Sequence, residues 1–410
     1  MRLASVFQRI TGGGDVRFQA YDGSTAGPAA APVSIEIKTP EALSYLASAP
    51  GELGLARAYV TGHLEILGDV HAGLSRLSEF SLRGLPWLQR VELLKFLGGI
   101  RLSHKVSPPP QETRLRGLRH SKARDRQAIA HHYDVSNQFY EWVLGPSMAY
   151  TCAVYPSAES TLEEAQFEKH DLVARKLGLK PGMRLLDVGC GWGGMVMHAA
   201  REYGVRAIGV TLSRNQAEYA QKAIVEAGLS DLAEVRHLDY RDVRETGFDA
   251  VSSIGLTEHI GKAKLPGYFA SLHRKLKPGG RLLNHCITRP DNKQRALSGP
   301  FIDRYVFPDG ELVGPGHLVS LMHDTGFEVR HEENIREHYA LTLAAWGRNL
   351  EQHWDEAVEE VGEARARVWR LYLAASRLGF DRNNIQLHQV LGVKLDGTTS
   401  HMPLRPDWLS

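Results

Sequence analysis

The sequence predicts an α/β protein in which a smaller N-terminal α+β domain precedes a doubly wound, mostly parallel sheet. From Met183 onward, short apolar segments alternate with amphipathic segments of helical periodicity, which is the pattern of βαβ units. Before residue 100, strand-like and helical segments follow one another without that regular alternation. The length of 410 residues accommodates one large and one small domain.

The composition limits the class of protein. With 43% hydrophobic and 23% charged residues the chain can bury a sizeable core, and its net charge of +2 gives no indication of a nucleic-acid partner. No apolar stretch approaches the roughly 20 residues of a membrane-spanning helix, and the N-terminus lacks the apolar region of a signal peptide. We therefore expect a cytoplasmic protein. Cys152, Cys190 and Cys286 form no CxxC pair, which predicts reduced thiols and no metal site.

Residues 1–100 are expected to form the N-terminal domain. Strand-like segments occupy residues 16–21 and 33–38, and helical patterns begin at residue 40 and extend over residues 71–97.

Residues 101–126 are predicted to be a linker, because three successive prolines precede a segment rich in Arg and Lys. The basic residues could simply be solvated, or they could attach the protein to an anionic bilayer at about 1 kcal/mol per cation. Nucleic-acid binding is disfavoured, because no aromatic side chains accompany the charges.

Residues 127–410 are expected to form the second domain. Its predicted strands cover residues 183–189, 205–210, 233–239, 248–255, 281–287, 327–335 and 384–395. Helices lie between them, the last over residues 338–378, and the final pair of strands predicts an antiparallel strand that closes the sheet. Ligands of such sheets bind at the carboxyl ends of the strands.

The segment LLDVGCGWGG (residues 185–194) is a buried strand that runs into a glycine turn and a helix. Gly189, Gly191 and Gly193 lack Cβ atoms, so a ligand can approach the backbone and the N–H groups of the helix start. This pattern alone is common to many nucleotide sites. The next strand ends in GVTLSRNQ, without the acid that binds the ribose of a dinucleotide, which disfavours a nicotinamide cofactor.

Seven segments in order resemble the cyclopropane-fatty-acid and mycolic-acid cyclopropane synthases: HHYDVSNQFYEWVLGPSMAYTCAVYP, LLDVGCGWGG, GVTLSRNQ, DYRD, GLTEHIG, FIDRYVFPDG and NIQLHQV. The segment GELGLARAYVTGHLEI more loosely resembles the extra domain of the phospholipid-acting members. The resemblance implies a class I methyltransferase with a Rossmann-like seven-stranded sheet and S-adenosylmethionine as cofactor. It also implies a set of cofactor-binding residues: Tyr150 and Thr151 over the methionine part; Asp187, Gly189 and Gly191 beneath it; Thr211, Leu212 and Gln216 at the ribose and adenosine; and Tyr240 beside the adenine. Leu212 and Tyr240 could equally be core residues.

An alkene is a poor nucleophile, so its methylation needs close positioning and exclusion of water, and it leaves a carbocation that a base must deprotonate. The resemblance implies that this base is a bicarbonate ion held by the side chains of Glu258, His285 and Tyr339 and by the backbone near Cys152.

Each of these residues has a structural alternative. Glu258 could cap the following helix, His285 could be a satisfied core histidine, Tyr339 could pack, and Cys152 could be a small buried side chain. Nucleophilic catalysis by the cysteine is not inferred. Metal binding that includes His259 is disfavoured, because no HExxH spacing is present.

Three positions depart from the family pattern. Thr257 replaces a bulky apolar residue before the glutamate, residues 314–316 replace a Leu-Pro-Ser run, and His388 replaces a frequent Trp. Two products therefore stay open: a cyclopropane, or a methylene chain that a partner reductase could convert to a methyl branch.

The implied activity is methylation of the cis double bond of an unsaturated acyl chain, oleoyl being the expected one, in membrane phospholipid. The protein would act peripherally on the anionic inner face of the cell membrane, and its N-terminal domain would serve lipid handling or homodimer contacts. The alternatives are methylation of a soluble small molecule at N or O and a non-catalytic cofactor-binding module.

Overall fold

The computed structural model describes residues 2–10, 14–77, 106–113, 119–121, 124, 135–295, 297–405 and 408. Residues 78–97 of the predicted helical region and most of the predicted linker lie outside these residues, as do residues 131–134 of the first family motif. In the described N-terminal part, helices and strands are α1 (Leu3–Ile10), β1 (Val16–Ala20), β2 (Thr25–Ala26), β3 (Val33–Ile37), α2 (Pro40–Ser48), α3 (Glu52–Val60), β4 (Leu64–Leu67) and α4 (Val70–Leu77).

The described residues from 135 onward alternate strands and helices as the sequence predicts. The elements are α5 (Asn137–Leu144), α6 (Leu162–Leu177), β5 (Arg184–Val188), α7 (Gly194–Tyr203), β6 (Arg206–Thr211), α8 (Arg214–Glu226), β7 (Ala233–His237), β8 (Phe248–Ile254), α9 (Leu265–Lys275), β9 (Leu276–Thr288), α10 (Pro300–Tyr305), α11 (Pro315–Asp324), β10 (Phe327–Asn334), α12 (Arg336–Gln352), α13 (Trp354–Val361), α14 (Glu363–Asp381) and β11 (Gln386–Lys394).

The chain divides into two compact units. The first contains residues 1–114, 299–308 and 350–378, and the second contains the remainder. In the first unit the strands have the order β2-β1-β3-β4, with β1 and β3 parallel. Arg57 and Arg304 both donate to the buried carboxylate of Glu112, which joins residues 299–308 to this unit. Two segments that the sequence places in the second domain thus belong to the first unit.

The second unit contains a seven-stranded sheet of order β10-β11-β9-β8-β5-β6-β7. Strands β5 to β9 pair in parallel, and β11 runs antiparallel to both of its neighbours, β9 and β10. This is the predicted doubly wound sheet with an antiparallel strand near its end. The carboxyl ends of β5, β6 and β8 consequently lie along one edge.

Apolar side chains cover both faces of this sheet, which explains why the central strands are apolar almost throughout. One core cluster contains Val173 of α6, Val196 of α7 and Ile224 of α8. The other contains Phe269 of α9 and Leu318 of α11. The two layers hold the strands in place and leave the loops at their carboxyl ends to form the site.

Local signals define the helix that borders the site. At the start of α6, Thr161 and Glu164 form a capping box. At its end, Gly178 adopts a left-handed conformation with φ of 66°, a common way for a helix to terminate. Helix α6 therefore has fixed ends, and its buried face is directed at β8 and β9.

Candidate active site

The glycine turn predicted to hold the cofactor joins β5 to α7. The N–H groups of Gly189 and Cys190 donate to the carbonyl oxygen of Val210 on β6, at 2.9 and 3.0 Å. Gly191 has a φ of 55°, and a Cβ there would meet no atom of the described residues within 4 Å. A Cβ on Gly189 would instead lie 3.1 Å from Leu256. Gly191 therefore borders open space, whereas Gly189 allows close packing within the protein.

Asp187 lies in β5, two residues before the turn, and is buried. Its Oδ1 accepts a hydrogen bond of 2.7 Å from the Ser252 hydroxyl on the adjacent strand β8. Burial raises the pKa of Asp187 to about 6, and the Ser252 hydrogen bond and the Lys169 charge oppose that shift. The carboxyl group is thus fixed within the sheet, directly before the glycine turn.

The residues predicted at the ribose and adenosine lie where β6 meets α8. The Thr211 hydroxyl donates to the Gln216 side-chain oxygen at 2.8 Å, and Ser213 caps the helix by accepting from the Gln216 N–H. Leu212 is half-buried. Tyr240 follows β7 and packs edge-on against Tyr268 with ring centroids 5.2 Å apart. Their contacts with the cofactor stay predictions.

Tyr150 and Thr151 belong to a segment held by α6 and α12. The Gln166 side chain donates to the carbonyl oxygen of Thr151 at 2.9 Å, and the Lys169 amino group donates to the Thr151 hydroxyl at 2.9 Å. The Tyr150 ring lies 5.3 Å from that of Trp346. A Cβ on Gly255 would lie 2.9 Å from the Thr151 methyl group, so this segment touches the loop that follows β8.

Glu258 lies in a 3₁₀ turn, Thr257–His259, in that loop. Its Oε1 accepts a hydrogen bond of 2.6 Å from the N–H of Ile287 on β9. Its Oε2 is buried and has no hydrogen-bond partner among the described residues. Burial raises the pKa of Glu258 to about 7, although the Ile287 N–H opposes the shift. The carboxyl group therefore binds a strand rather than capping a helix, and one of its oxygens is available.

His285 lies on β9, beside Ile254 at the end of β8, and is completely buried. Its Nδ1 lies 3.2 Å from the side-chain nitrogen of Gln389, and its Nε2 has no partner within the described part of the chain. Burial, with the charges of Lys169 and Lys176, holds the pKa of His285 well below its usual value. The imidazole is therefore neutral, and half of its hydrogen-bonding capacity is available.

Cys152 and Tyr339 lie on the two sides of a contact between the 150–155 segment and α12. The Cys152 thiol lies 3.1 Å from the carbonyl oxygen of Ala153 and 3.9 Å from that of Ile335. Burial raises the pKa of the thiol, which disfavours a reactive thiolate. The Tyr339 ring packs 4.5 Å from Phe380 and 6.1 Å from Trp346.

Hydrogen bonds, strand pairing and chain connectivity place the four predicted catalytic residues at the same end of the sheet. Ile335 directly precedes α12, the helix of Tyr339, and its carbonyl oxygen lies 3.9 Å from the Cys152 thiol. The Ile335 N–H donates to Leu387 on β11 at 2.9 Å. Leu387 pairs with Ile287, whose N–H binds Glu258, and His285 lies two residues earlier on the same strand. The roles of these residues stay predictions.

The buried polar residues that sequence reasoning missed near this site include Gln166, Lys169, Lys176 and Gln389. The first three share the buried face of α6, where residues recur at intervals of three and seven. Applying helical periodicity to LEEAQFEKHDLVARKL would have shown these polar residues on the apolar face. No comparable signal marks Gln389, since every central residue of β11 is buried.

Two departures from the family pattern lie beside the predicted acid and histidine. The Thr257 hydroxyl donates to the side-chain oxygen of Asn284 at 2.5 Å, and both residues are buried. His388 binds the Thr288 hydroxyl at 2.8 Å through Nδ1 and Glu332 at 3.0 Å through Nε2. Polar side chains thus occupy positions where the family pattern has apolar ones.

Among the described residues, no three His, Cys, Asp or Glu side chains are grouped as metal ligands would be. In the same part of the chain, no helix combines the length and apolar character needed to cross a bilayer.

A sheet of this order, with a glycine turn after its first strand and an antiparallel strand near one edge, defines the class I methyltransferases. The family model for mycolic acid cyclopropane synthetases matches residues 120–390. A probable fatty acid methyltransferase of Mycobacterium tuberculosis is 57% identical over 423 aligned residues, which cover 100% of this chain and 98% of the relative. The cyclopropane-fatty-acyl-phospholipid synthase of Escherichia coli K12 is 33% identical over 88% of both chains.

The structural comparison agrees with these relationships. A crystal structure of a mycolic acid cyclopropane synthase complexed with SAH and CTAB shares 32% sequence identity and has a TM-score of 0.62, covering 65% of this chain and 97% of the other. The chain therefore belongs to the cyclopropane synthase family of methyltransferases. This confirms the family and the fold expected from the sequence motifs.

Proposed function

We propose that the protein transfers the methyl group of S-adenosylmethionine to the cis double bond of an unsaturated acyl chain, such as oleoyl, in a membrane phospholipid. The observation that carries this proposal is that two buried polar atoms at the carboxyl end of the sheet, Glu258 Oε2 and His285 Nε2, have no hydrogen-bond partner among the described residues. The names of the relatives support a fatty acyl substrate, because they include a fatty acid methyltransferase and a cyclopropane-fatty-acyl-phospholipid synthase.

The glycine turn fits the cofactor, since the backbone at Gly191 borders open space and Thr211 and Gln216 present polar groups at the end of the next strand. Bound S-adenosylmethionine supplies an electrophilic methyl group on a sulfonium. The protein contributes positioning: the backbone near Gly191, the Tyr150–Thr151 segment and the end of β6 would hold its three parts.

The two unpartnered atoms fit a small oxyanion such as bicarbonate. A neutral imidazole can donate one hydrogen bond, and a carboxyl group whose pKa is near 7 can donate or accept. Bound bicarbonate supplies a base close to the acyl chain. Glu258, His285, Tyr339 and the backbone at Cys152 would hold it, and burial of the first two residues excludes water.

The chemistry of the acyl chain determines two possible products. The π electrons of the alkene form a bond to the methyl carbon, the carbon–sulfur bond breaks with its electron pair on sulfur, and a carbocation remains on the chain. Loss of a proton from the new methyl group with ring closure gives a cyclopropane. If a hydride first shifts from the methyl-bearing carbon to the cation, loss of a methyl proton gives a 10-methylene chain, the precursor of a methyl-branched lipid.

Purified protein incubated with S-adenosylmethionine and vesicles of dioleoyl phospholipid tests this function. We expect the released fatty acids to gain one CH₂ by mass spectrometry, and proton NMR then shows either upfield cyclopropane protons or vinylidene protons. No gain in mass with cofactor binding intact would contradict the proposal and favour a soluble methyl acceptor.

We further propose that the protein acts peripherally on anionic membranes and that the basic segment before residue 127 provides this attachment. The N-terminal domain would serve lipid handling or homodimer contacts, and a reductase would consume a methylene product. Co-sedimentation with anionic vesicles but not with neutral ones is expected, and equal co-sedimentation with both would contradict the electrostatic attachment.

A further inference from the structure

A hydrogen-bonded chain of buried side chains extends from the side of α6 to His285. The Lys176 ammonium, completely buried, donates to the carboxylate of Glu333 and to the side-chain oxygen of Gln389, the latter at 2.6 Å. The Gln389 nitrogen lies 3.2 Å from His285 Nδ1. Gln389 and His285 are both fully buried, on adjacent strands in direct register.

The chemistry of lysine determines the orientation of the Gln389 amide. An ammonium group has three donors and no acceptor, so the Gln389 atom beside it must be the amide oxygen. The amide NH₂ is then directed at His285. Like the ammonium group, it can only donate hydrogen bonds. His285 Nδ1 must therefore accept, which leaves the single proton of the neutral ring on Nε2.

Burial and nearby charges keep the ring neutral. Burial lowers the pKa of His285 most, and the charges of Lys169 and Lys176 act in the same direction. Burial lowers the pKa of Lys176, whereas the charge of Glu333 and its hydrogen bond with Lys176 oppose that shift and favour the ammonium form. The ion pair of Lys176 and Glu333 thus maintains the donor that holds Gln389 in place.

We propose that Lys176 and Gln389 are positioning residues that hold His285 in the Nε2–H tautomer, so that this buried N–H donates to the oxyanion bound beside Glu258. The identity of the anion rests on the function proposed above, whereas the tautomer does not. In the opposite tautomer, Nε2 would present a lone pair to an anion and repel it.

Nitrogen-15 NMR of the full-length protein, labelled in its histidine rings, tests the tautomer directly. The His285 signals are those missing from the His285→Gln spectrum. We expect wild-type His285 to show a protonated Nε2 and an unprotonated Nδ1. An Nδ1–H tautomer or an imidazolium at pH 7.5 would overturn the inference, whether or not the protein methylates lipid.

Gln389→Glu should reverse the direction of the hydrogen bond between residue 389 and His285, because a carboxylate accepts and would favour a proton on Nδ1. We expect the tautomer signature to invert and kcat with dioleoyl vesicles to fall about 10-fold or more, with unchanged affinity for S-adenosylmethionine; partners that orient metal-bound histidines have effects of this size. Gln386→Glu, on the same strand but hydrogen-bonded to Asn383, is the matched control and should change neither.

Lys176→Met provides an independent route if Gln389→Glu does not fold. Without the ammonium the amide can rotate, and a mixture of the two tautomers is expected. An unchanged pure Nε2–H signal in both variants would overturn the assigned role of Gln389 and Lys176. An Nε2–H tautomer in a protein that methylates no lipid would contradict only the proposed function.

Discussion

The carboxyl edge of the seven-stranded sheet has two parts, and they differ in how their buried polar side chains are hydrogen-bonded. At the predicted cofactor part, the side chains bind each other: Asp187 accepts from Ser252, and Thr211 donates to Gln216. At the predicted acid–base part, Glu258 and His285 each use one polar atom within the protein and leave the other buried without a partner in the described residues.

Burying an unpartnered polar group costs about 1–3 kcal/mol, so a buried acid and a buried imidazole that each leave one atom unpaired call for a structural or functional reason. At the cofactor part, Asp187 and Thr211 make their hydrogen bonds within the protein. At the acid–base part, Glu258 Oε2 and His285 Nε2 could each bind the small polar ligand proposed above. This contrast supports the proposal that the first part serves binding and the second serves chemistry.

The strongest test of this contrast is Glu258→Gln, which keeps the shape but removes the acid. We expect lipid methylation to fall about 10³-fold, within the range for loss of acid–base assistance, while S-adenosylmethionine affinity by calorimetry changes less than twofold. Glu328→Gln, a surface position on β10, is the control. Retained methylation in the Glu258 variant would show that the carboxyl group of Glu258 is not required for the reaction.

The same substitution should also alter the dependence of stability on pH. The pKa of Glu258 is raised to about 7 from its ordinary 4.5, so its ionisation disfavours the folded state. The associated stability is complete below pH 4.5 and is lost as pH rises through 7, by an amount of up to about 3 kcal/mol. Urea unfolding at pH 5 and pH 8 should show this loss in the wild type but not in Glu258→Gln. Parallel pH profiles would contradict the burial of an ionising carboxyl group.

At the cofactor part we expect a smaller effect from Gly191→Ala. The new Cβ would enter the open space beside the turn and weaken S-adenosylmethionine binding about 10-fold, beyond the strain of about 1 kcal/mol that any left-handed alanine carries. Gly228→Ala is matched, because Gly228 also has a positive φ, 68°, and open surroundings. Equal cofactor affinity in the two variants would show that the space at Gly191 is not the cofactor site.

The smallest effect is expected at Thr257, the polar residue that directly precedes Glu258 in the chain. Thr257→Val removes the hydroxyl that donates to Asn284 and leaves a buried amide oxygen unpaired, which should destabilise the protein by about 1–2 kcal/mol. Thermal unfolding measures this loss, with the exposed Thr246→Val as control. An unchanged transition temperature would show that the Thr257–Asn284 hydrogen bond is dispensable.

The same two parts show what the sequence can predict. Strand and helix periodicity and the glycine turn were enough to predict the sheet, because local pattern determines these elements. The partners of Glu258 and His285 were not predictable, since Ile287 and Gln389 come to them through strand pairing between distant segments. The assignment of residues 299–308 to the N-terminal unit likewise depends on a shared ion cluster at Glu112, which leaves no periodic signal.

The central claim is that Glu258 and His285 hold a small oxyanion that assists the reaction, and methylation measured with and without bicarbonate tests it most directly. The protein, its vesicles of dioleoyl phospholipid and its buffers would be freed of carbon dioxide under argon. We expect methylation to fall at least tenfold, to return in a saturable way when bicarbonate is added, and not to return in Glu258→Gln. Full activity of the wild type without bicarbonate would contradict it.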